Sequence, residues 1–223
     1  MILLHGKPLA KKILDEVKAG VKKLEKPPLL KVICENYDQP YYRGIVRDAK
    51  YCGVEIAKAY TPINRVDGVI SLLPAYKPAY DVDMDGGATN PCTAEAIMEL
   101  LLHYNISVTG KDVVVIGYSE RVGKPLTNML LDARATVTTC HSQTNNIYWH
   151  VIGKDIIISC VGNAGFDMRG IATQYTTLID IGGDLNGVED CNALVPFIGG
   201  VGPVTRAVLM RHVYEKARKG KFG

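Results

Sequence analysis

Between Pro8 and Leu24 the apolar residues Leu9, Ile13, Val17, Val21 and Leu24 recur at helical spacing, with lysines and acids filling the positions between them. That pattern predicts an amphipathic first helix. The period then changes: "LLKVICEN", Leu29 to Asn36, is a short apolar run that reads as a buried strand. "DQPYYRGIVRDAKYCG" returns to helix, with Asp38 and Pro40 suited to its start and Gly44 weakening its interior. "VDGVISLLP" predicts a second strand, which Pro74 stops. In "TNPCTAEAIMELLLHYN" Thr93 precedes Glu95 and Glu99, and Ala96, Ile97, Leu100 and Leu101 form an apolar stripe, so another helix is expected there.

Beyond Asn105 the runs shorten and turn continuously apolar. "KDVVVIG", "ATVTTCH", "KDIIISCVG" and "TTLIDIGGD" predict strands, with a helix from Gly123 to Leu131 after the first and a final helix from Val204 to Arg218. Strands of this kind, alternating with helices or short crossovers, imply a parallel sheet covered on both faces. The fold class is therefore α/β in two lobes. Residues 1–104 form an N-terminal α/β lobe, on which the C-terminal helix, 203–219, packs back, and residues 105–202 form a Rossmann-like lobe.

Composition narrows the function. The chain has 223 residues, 47% of them hydrophobic, enough to bury a sizeable core. Its net charge of +3 comes from 26 basic and 23 acidic residues, and the only basic run, Lys216 to Lys221, reads as a solvated helix end, so no nucleic-acid partner is expected. The six cysteines stand singly, without a CxxC pair or a His/Cys cluster, which argues against zinc or any other metal and fits a reducing compartment. Three apolar residues between Met1 and His5 are too few for a signal segment, and no run approaches a membrane span, so a cytoplasmic location is expected.

Candidate chemistry lies in four strings. In "VVVIGYSERVGKP" Gly117 ends a strand, Ser119 lies in the turn and Gly123 begins a helix. Such a turn fits a phosphate at a helix N-terminus, and it equally fits a tight structural turn in any parallel sheet. "CHSQT" ends the next strand with no acid to hold an adenosine ribose; His141 and Ser142 suit a 2′-phosphate, and the alternative is a neutral polar loop. "GGVGPVT", Gly199 to Thr205, places three glycines and Pro203 before a helix, which lets the backbone approach a ligand closely. "YDVDMDGG" crowds Asp81, Asp83 and Asp85 into a loop that suits acid–base chemistry or a solvated turn and lacks the rest of an EF-hand.

Taken in order, "DGVISLLP", "DVD", "PCTAEAIMELL", "GKDVVVIGYSERVGKP", "ATVTTCHSQT" and "GGVGPVT" resemble the bifunctional methylenetetrahydrofolate dehydrogenase/cyclohydrolase family over nearly the whole chain. The resemblance implies folate between two lobes, NADP or NAD on the Rossmann-like lobe, and a homodimer. It implies a cofactor set of Gly117, Tyr118, Ser119, Arg121, Gly123, Ser142 and Gly183. It implies catalytic roles for Tyr42 and Asp83, and substrate contacts from Tyr42, Leu72, Asp83, Gly199, Gly200, Val201, Gly202, Pro203 and Thr205.

The departures from the family are specific. Relatives are longer: one helix is missing here between Tyr60 and Val66 and another between Pro74 and Asp81, with further trimming after Asp184. The family's lysine, one helical turn after its tyrosine, is replaced by Val46 if counted from Tyr42, or Ile45 if counted from Tyr41. The glutamine beside that lysine corresponds to Leu72. Asp83 matches the aspartate that holds the pterin, with Tyr80 and Met84 changed around it. Tyr118 stands where relatives place an arginine toward the cofactor's phosphate, and either Arg121 substitutes for it or the preference has moved to NAD.

Losing lysine and glutamine together avoids leaving one buried polar group unpaired. The expected activity is therefore NAD(P)-dependent oxidation of 5,10-methylenetetrahydrofolate, or of a related pterin carrier, to the methenyl form, with cyclohydrolase activity lost or weak. A non-catalytic relative that binds nucleotide or folate as a sensor or partner subunit is the alternative. A third reading has Lys50 restoring the hydrolytic step.

Overall fold

Val113, Val114, Val115 and Ile116 are all buried, as the central strand of a sheet covered on both faces requires. In the computed structural model, which describes residues 1–33, 40–59, 69–72, 90–162 and 164–219, this run is β5, Asp112–Ile116. The contacts divide the chain into two units, Met1–Lys7 with Thr93–Val204, and Pro8–Cys92 with Thr205–Gly223.

The first unit is built on a six-stranded parallel sheet. From one edge its order is β1 (Ile2–Leu3), β11 (Ala193–Val195), β9 (Thr177–Asp180), β7 (Ile156–Ser159), β5 and β6 (Thr136–Cys140). The chain runs from β5 outward to β6, then returns to β7 on the other flank of β5, with Ile116 opposite Cys140 on one side and Ser159 on the other. That reversal is the switch point at which open α/β sheets leave a crevice beyond their carboxyl ends. Helix α4, Gly123–Asp132, covers β5 and β6 with Leu126 and Leu130 fully buried, while Val114, Ile116, Cys140, Ile157, Met168 and Leu178 belong to one core cluster.

Several elements of this unit carry no signal in the sequence pattern. β1 pairs Ile2 with Ala193, so the start of the chain belongs to the sheet expected to begin at Asn105. Two residues are too short for a period to show. The same holds for the paired β8 (Phe166–Asp167) and β10 (Leu185–Asn186) and for the one-turn helix α5, Tyr148–Val151.

The second unit has a parallel sheet in the order β3 (Glu55–Ala59), β2 (Leu29–Ile33), β4 (Val69–Leu72), together with α1 (Lys7–Val21) and α2 (Pro40–Cys52). β3 was not expected, because Glu55 and Lys58 interrupt its apolar pattern. α1 buries Leu9, Ile13, Val17 and Val21, the predicted stripe. Helix α3, Cys92–His103, and helix α6, Val201–Arg218, each start at a boundary between the units; α6 begins three residues before the expected Val204.

Gly44 has a packing role rather than being merely a weak point of α2. A methyl group there would stand 2.7 Å from Nε of Arg206, and that nitrogen donates to Asp48 Oδ2 at 2.8 Å. Asp48 is also paired with Arg47 at 3.0 Å, so its buried carboxylate is met from both sides.

Candidate functional site

The first unit carries a cavity of about 750 Å3 at the carboxyl ends of β5, β6 and β7. Three consecutive turns build it, and the sequence dictates the conformation of each. After β5, Gly117 adopts φ +115°, and a methyl group on it would lie 2.8 Å from Sγ of Cys160. The chain then folds back so closely that a methyl group on Gly123 would stand 2.0 Å from the Gly117 carbonyl oxygen. Ser119 closes the turn: its Oγ accepts from the Val122 N–H at 3.2 Å and its carbonyl from the Lys124 N–H at 3.0 Å. With an acceptor position used inside the turn, the Ser119 hydroxyl still has its hydrogen to donate.

After β6, "CHSQT" forms a closed loop. The His141 N–H donates to Thr144 Oγ1 at 2.9 Å, the Thr144 N–H to the His141 carbonyl at 2.8 Å, and the Gln143 N–H to His141 Nδ1 at 3.2 Å. That last bond makes Nδ1 an acceptor, so the neutral ring presents Nε2–H as its donor. The rings of Tyr118 and His141 lie 6.3 Å apart, and Lys124 Nζ sits 5.0 Å from the centre of the Tyr118 ring. Lys124 is also paired with Glu120, whose hydrogen bond raises the lysine's pKa. Among the described residues lining the cavity there is no carboxylate.

The third turn follows β7 and brings Cys160 and Val161 to the cavity wall. Burial pushes the Cys160 thiol up to about 12, with Asp184 adding to the effect, so it is a neutral thiol that donates to the Ile116 carbonyl at 3.2 Å.

The structure thus gathers Gly117, Tyr118, Ser119 and Ser142 around one cavity, with Gly123 holding its first turn. Arg121 is half-buried in the same turn. Gly183 does not line the cavity; it sits in the turn after β9, where its N–H donates to Asp180 Oδ1 at 2.8 Å. Sequence reasoning gave no site role to Cys160, Val161 and Asp184, of which only the spacing of the two acids in "DIGGD" left a trace, and Thr144 stood in "CHSQT" without a role of its own.

In "GGVGPVT" the glycines divide into two roles. Gly199 has φ +83° and accepts from the Gly6 N–H at 2.8 Å, and a methyl group on Gly200 would stand 2.1 Å from the Pro196 carbonyl oxygen. These two serve the chain's own packing, whereas a methyl group on Gly202 would meet nothing within 4 Å among the described residues. Val201 and Thr205 are buried and Pro203 is half-buried, all in the first turns of α6.

In the second unit Tyr42 is 5% exposed on α2 and Val46, one turn on, is 38% exposed. Lys50 is exposed a further turn along, about 12 Å from Tyr42 in helical rise. Leu72 ends β4, opposite Ile33. Asp83, with Asp81 and Asp85, lies outside the described residues, as do the two segments expected to lack helices. Among the described residues no cluster of His, Cys, Asp or Glu could hold a metal, and no helix is long and apolar enough to cross a membrane.

Comparison with known proteins gives a consistent result. The family model described as tetrahydrofolate dehydrogenase/cyclohydrolase, NAD(P)-binding domain, matches residues 91–221. Bifunctional protein FolD of Kosmotoga olearia is 32% identical over 270 residues, covering 98% of this chain and 98% of the relative. The FolD of Sulfurihydrogenibium sp. is 32% identical over 276 residues, covering 96% and 97%. Among solved structures, the FolD methylenetetrahydrofolate dehydrogenase/cyclohydrolase of Campylobacter jejuni has a TM-score of 0.85 at 27% identity, with 99% of each chain covered. The Trypanosoma brucei enzyme, solved with NADP cofactor and inhibitor, has a TM-score of 0.83 at 26% identity, covering 99% of this chain and 98% of that one. An alignment of 270 residues exceeds the 223 present here, so the length difference from that relative lies within the matched region.

Proposed function

This chain belongs to the tetrahydrofolate dehydrogenase/cyclohydrolase family, and from that premise we propose that it oxidises 5,10-methylenetetrahydrofolate, or a related pterin carrier, to the methenyl form with NADP or NAD. The observation that carries this reading is the cavity at the switch point of the sheet, formed by Gly117, Ser119, His141 and Ser142. Its volume and its glycine turn fit a dinucleotide. Ser119 and the turn before α4 would hold the phosphates, and Ser142 with the Nε2–H of His141 would meet the adenosine ribose or its 2′-phosphate. The bound cofactor accepts the hydride. The protein's part is to hold the folate carbon against it and to keep water out.

Folate contacts are assigned to Tyr42, Asp83 and the backbone at Gly202, where an added methyl group would meet nothing within 4 Å among the described residues. The hydrolytic step needs an activated water, and the α2 position one turn beyond Tyr42 offers only the aliphatic side chain of Val46. Cyclohydrolase activity is accordingly lost or weak. We also assign the protein to the cytoplasm as a homodimer, the second of which light scattering of the purified chain tests.

Purified protein with methylenetetrahydrofolate and each cofactor should form reduced nucleotide. Tight nucleotide binding with no turnover would instead support the sensor or partner-subunit reading, which the loss of the lysine favours. Methenyl-tetrahydrofolate hydrolysis that disappears in Lys50→Ala would overturn the loss of the second activity.

A further inference from the structure

The turn after β9 buries two carboxylates that the proposed reaction does not use. Asp184 is fully buried. Its Oδ2 accepts from Ser159 Oγ at 2.8 Å and from the Val161 N–H at 3.0 Å; its Oδ1 accepts from the Gly162 N–H at 2.8 Å and the Ala164 N–H at 3.0 Å. Asp180, 7% exposed, fixes the turn that carries Asp184 by accepting from the N–H groups of Gly183 and Asp184, both at 2.8 Å. A buried carboxylate is tolerated only when donors meet its oxygens, and here four of them converge. The loop after β7 is therefore suspended from the turn after β9.

That loop is one wall of the cavity. Cys160 and Val161 line it, and the Cys160 sulfur packs against the Gly117 turn on the opposite side. A dinucleotide in a sheet of this order lies across the switch point, one half over the strands on each side. The β5 and β6 turns bear Ser119, His141 and Ser142. The β7 wall contributes shape, and its position is set by Asp184.

We propose that Asp184 is the positioning residue for the β7 half of the dinucleotide cleft, holding Cys160–Gly162 at the separation from Gly117 that the bound dinucleotide needs without touching the ligand. The inference rests on the NAD(P)-binding reading above.

The test is calorimetric titration of wild type, Asp184→Asn and Ser159→Ala with NADP+ or NAD+, whichever wild type binds more tightly, and with the matching adenosine half, 2′,5′-ADP or 5′-AMP. The Asn amide sets a donor against donors, a mismatch of the size of a lost buried hydrogen bond, so dinucleotide affinity should fall about tenfold or more. Affinity for the adenosine half should stay within about twofold, because the β5 and β6 turns are closed by their own hydrogen bonds at Ser119 and His141. Ser159→Ala removes one of the four bonds and should weaken the dinucleotide in the same direction by less, which keeps the test open should Asp184→Asn fail to fold. Unchanged dinucleotide affinity in the variants, or equal losses for dinucleotide and adenosine half, would overturn this proposal alone. A wild type that binds neither nucleotide would overturn the dinucleotide reading and this proposal with it.

Discussion

At Gly123 the space for a side chain is already occupied by the Gly117 carbonyl oxygen, 2.0 Å from where a Cβ would stand. Gly123→Ala should therefore force the β5 turn open, lowering stability by about 1–3 kcal/mol, the range for overpacking. A reduced urea midpoint, accompanied by weakened dinucleotide binding, checks it. The glycines and Ser119 were legible from the sequence because a strand-to-helix turn is local, and its demands fall within a few residues. Asp184 was not, since its donors lie 20 to 25 residues earlier in the chain. In "GGVGPVT" the string was legible, but not that Gly199 and Gly200 also answer to Gly6 and Pro196 within the chain.

Between elements, α2 and α6 meet at Gly44, Asp48 and Arg206. Alanine ordinarily favours a helix interior over glycine by about 1 kcal/mol. Gly44→Ala should nonetheless destabilise the protein, because the methyl group meets the guanidinium. In an Arg206→Ala background the same change should be neutral or stabilising. A double-mutant cycle by urea denaturation measures this coupling, and additive effects would contradict it. Asp155 joins the starts of β5 and β7: its carboxylate accepts from the Asp112 N–H at 2.9 Å and from Lys111 Nζ at 3.1 Å. The Asp112 bond first, and Lys111 second, hold its pKa below the ordinary value. The folded value lies below the unfolded one, so this stabilisation is present above the usual aspartate range, about pH 4, and is lost as pH falls through the lowered value. Thermal melting should show the difference between wild type and Asp155→Asn narrowing toward acid pH.

For the whole molecule, a ligand that binds only the folded chain stabilises it by mass action, about 2.7 kcal/mol at a hundredfold excess over Kd. NADP+ or NAD+ should raise the melting temperature accordingly and, in hydrogen exchange, protect the loops after β5, β6 and β7 in preference to the β3-β2-β4 sheet. The sequence by itself determined the α/β class, the strands β5, β6, β7 and β9, the helix α4 that covers β5 and β6, and the family. Each rests on a local period or a contiguous motif. Only the tertiary structure decided that Ile2–Leu3 joins the far edge of the large sheet, that Gly44 makes room for Arg206, and that the cavity's third wall is suspended from Asp184. Those depend on residues distant in sequence, whose pairing is set by sheet order and packing rather than by any pattern along the chain.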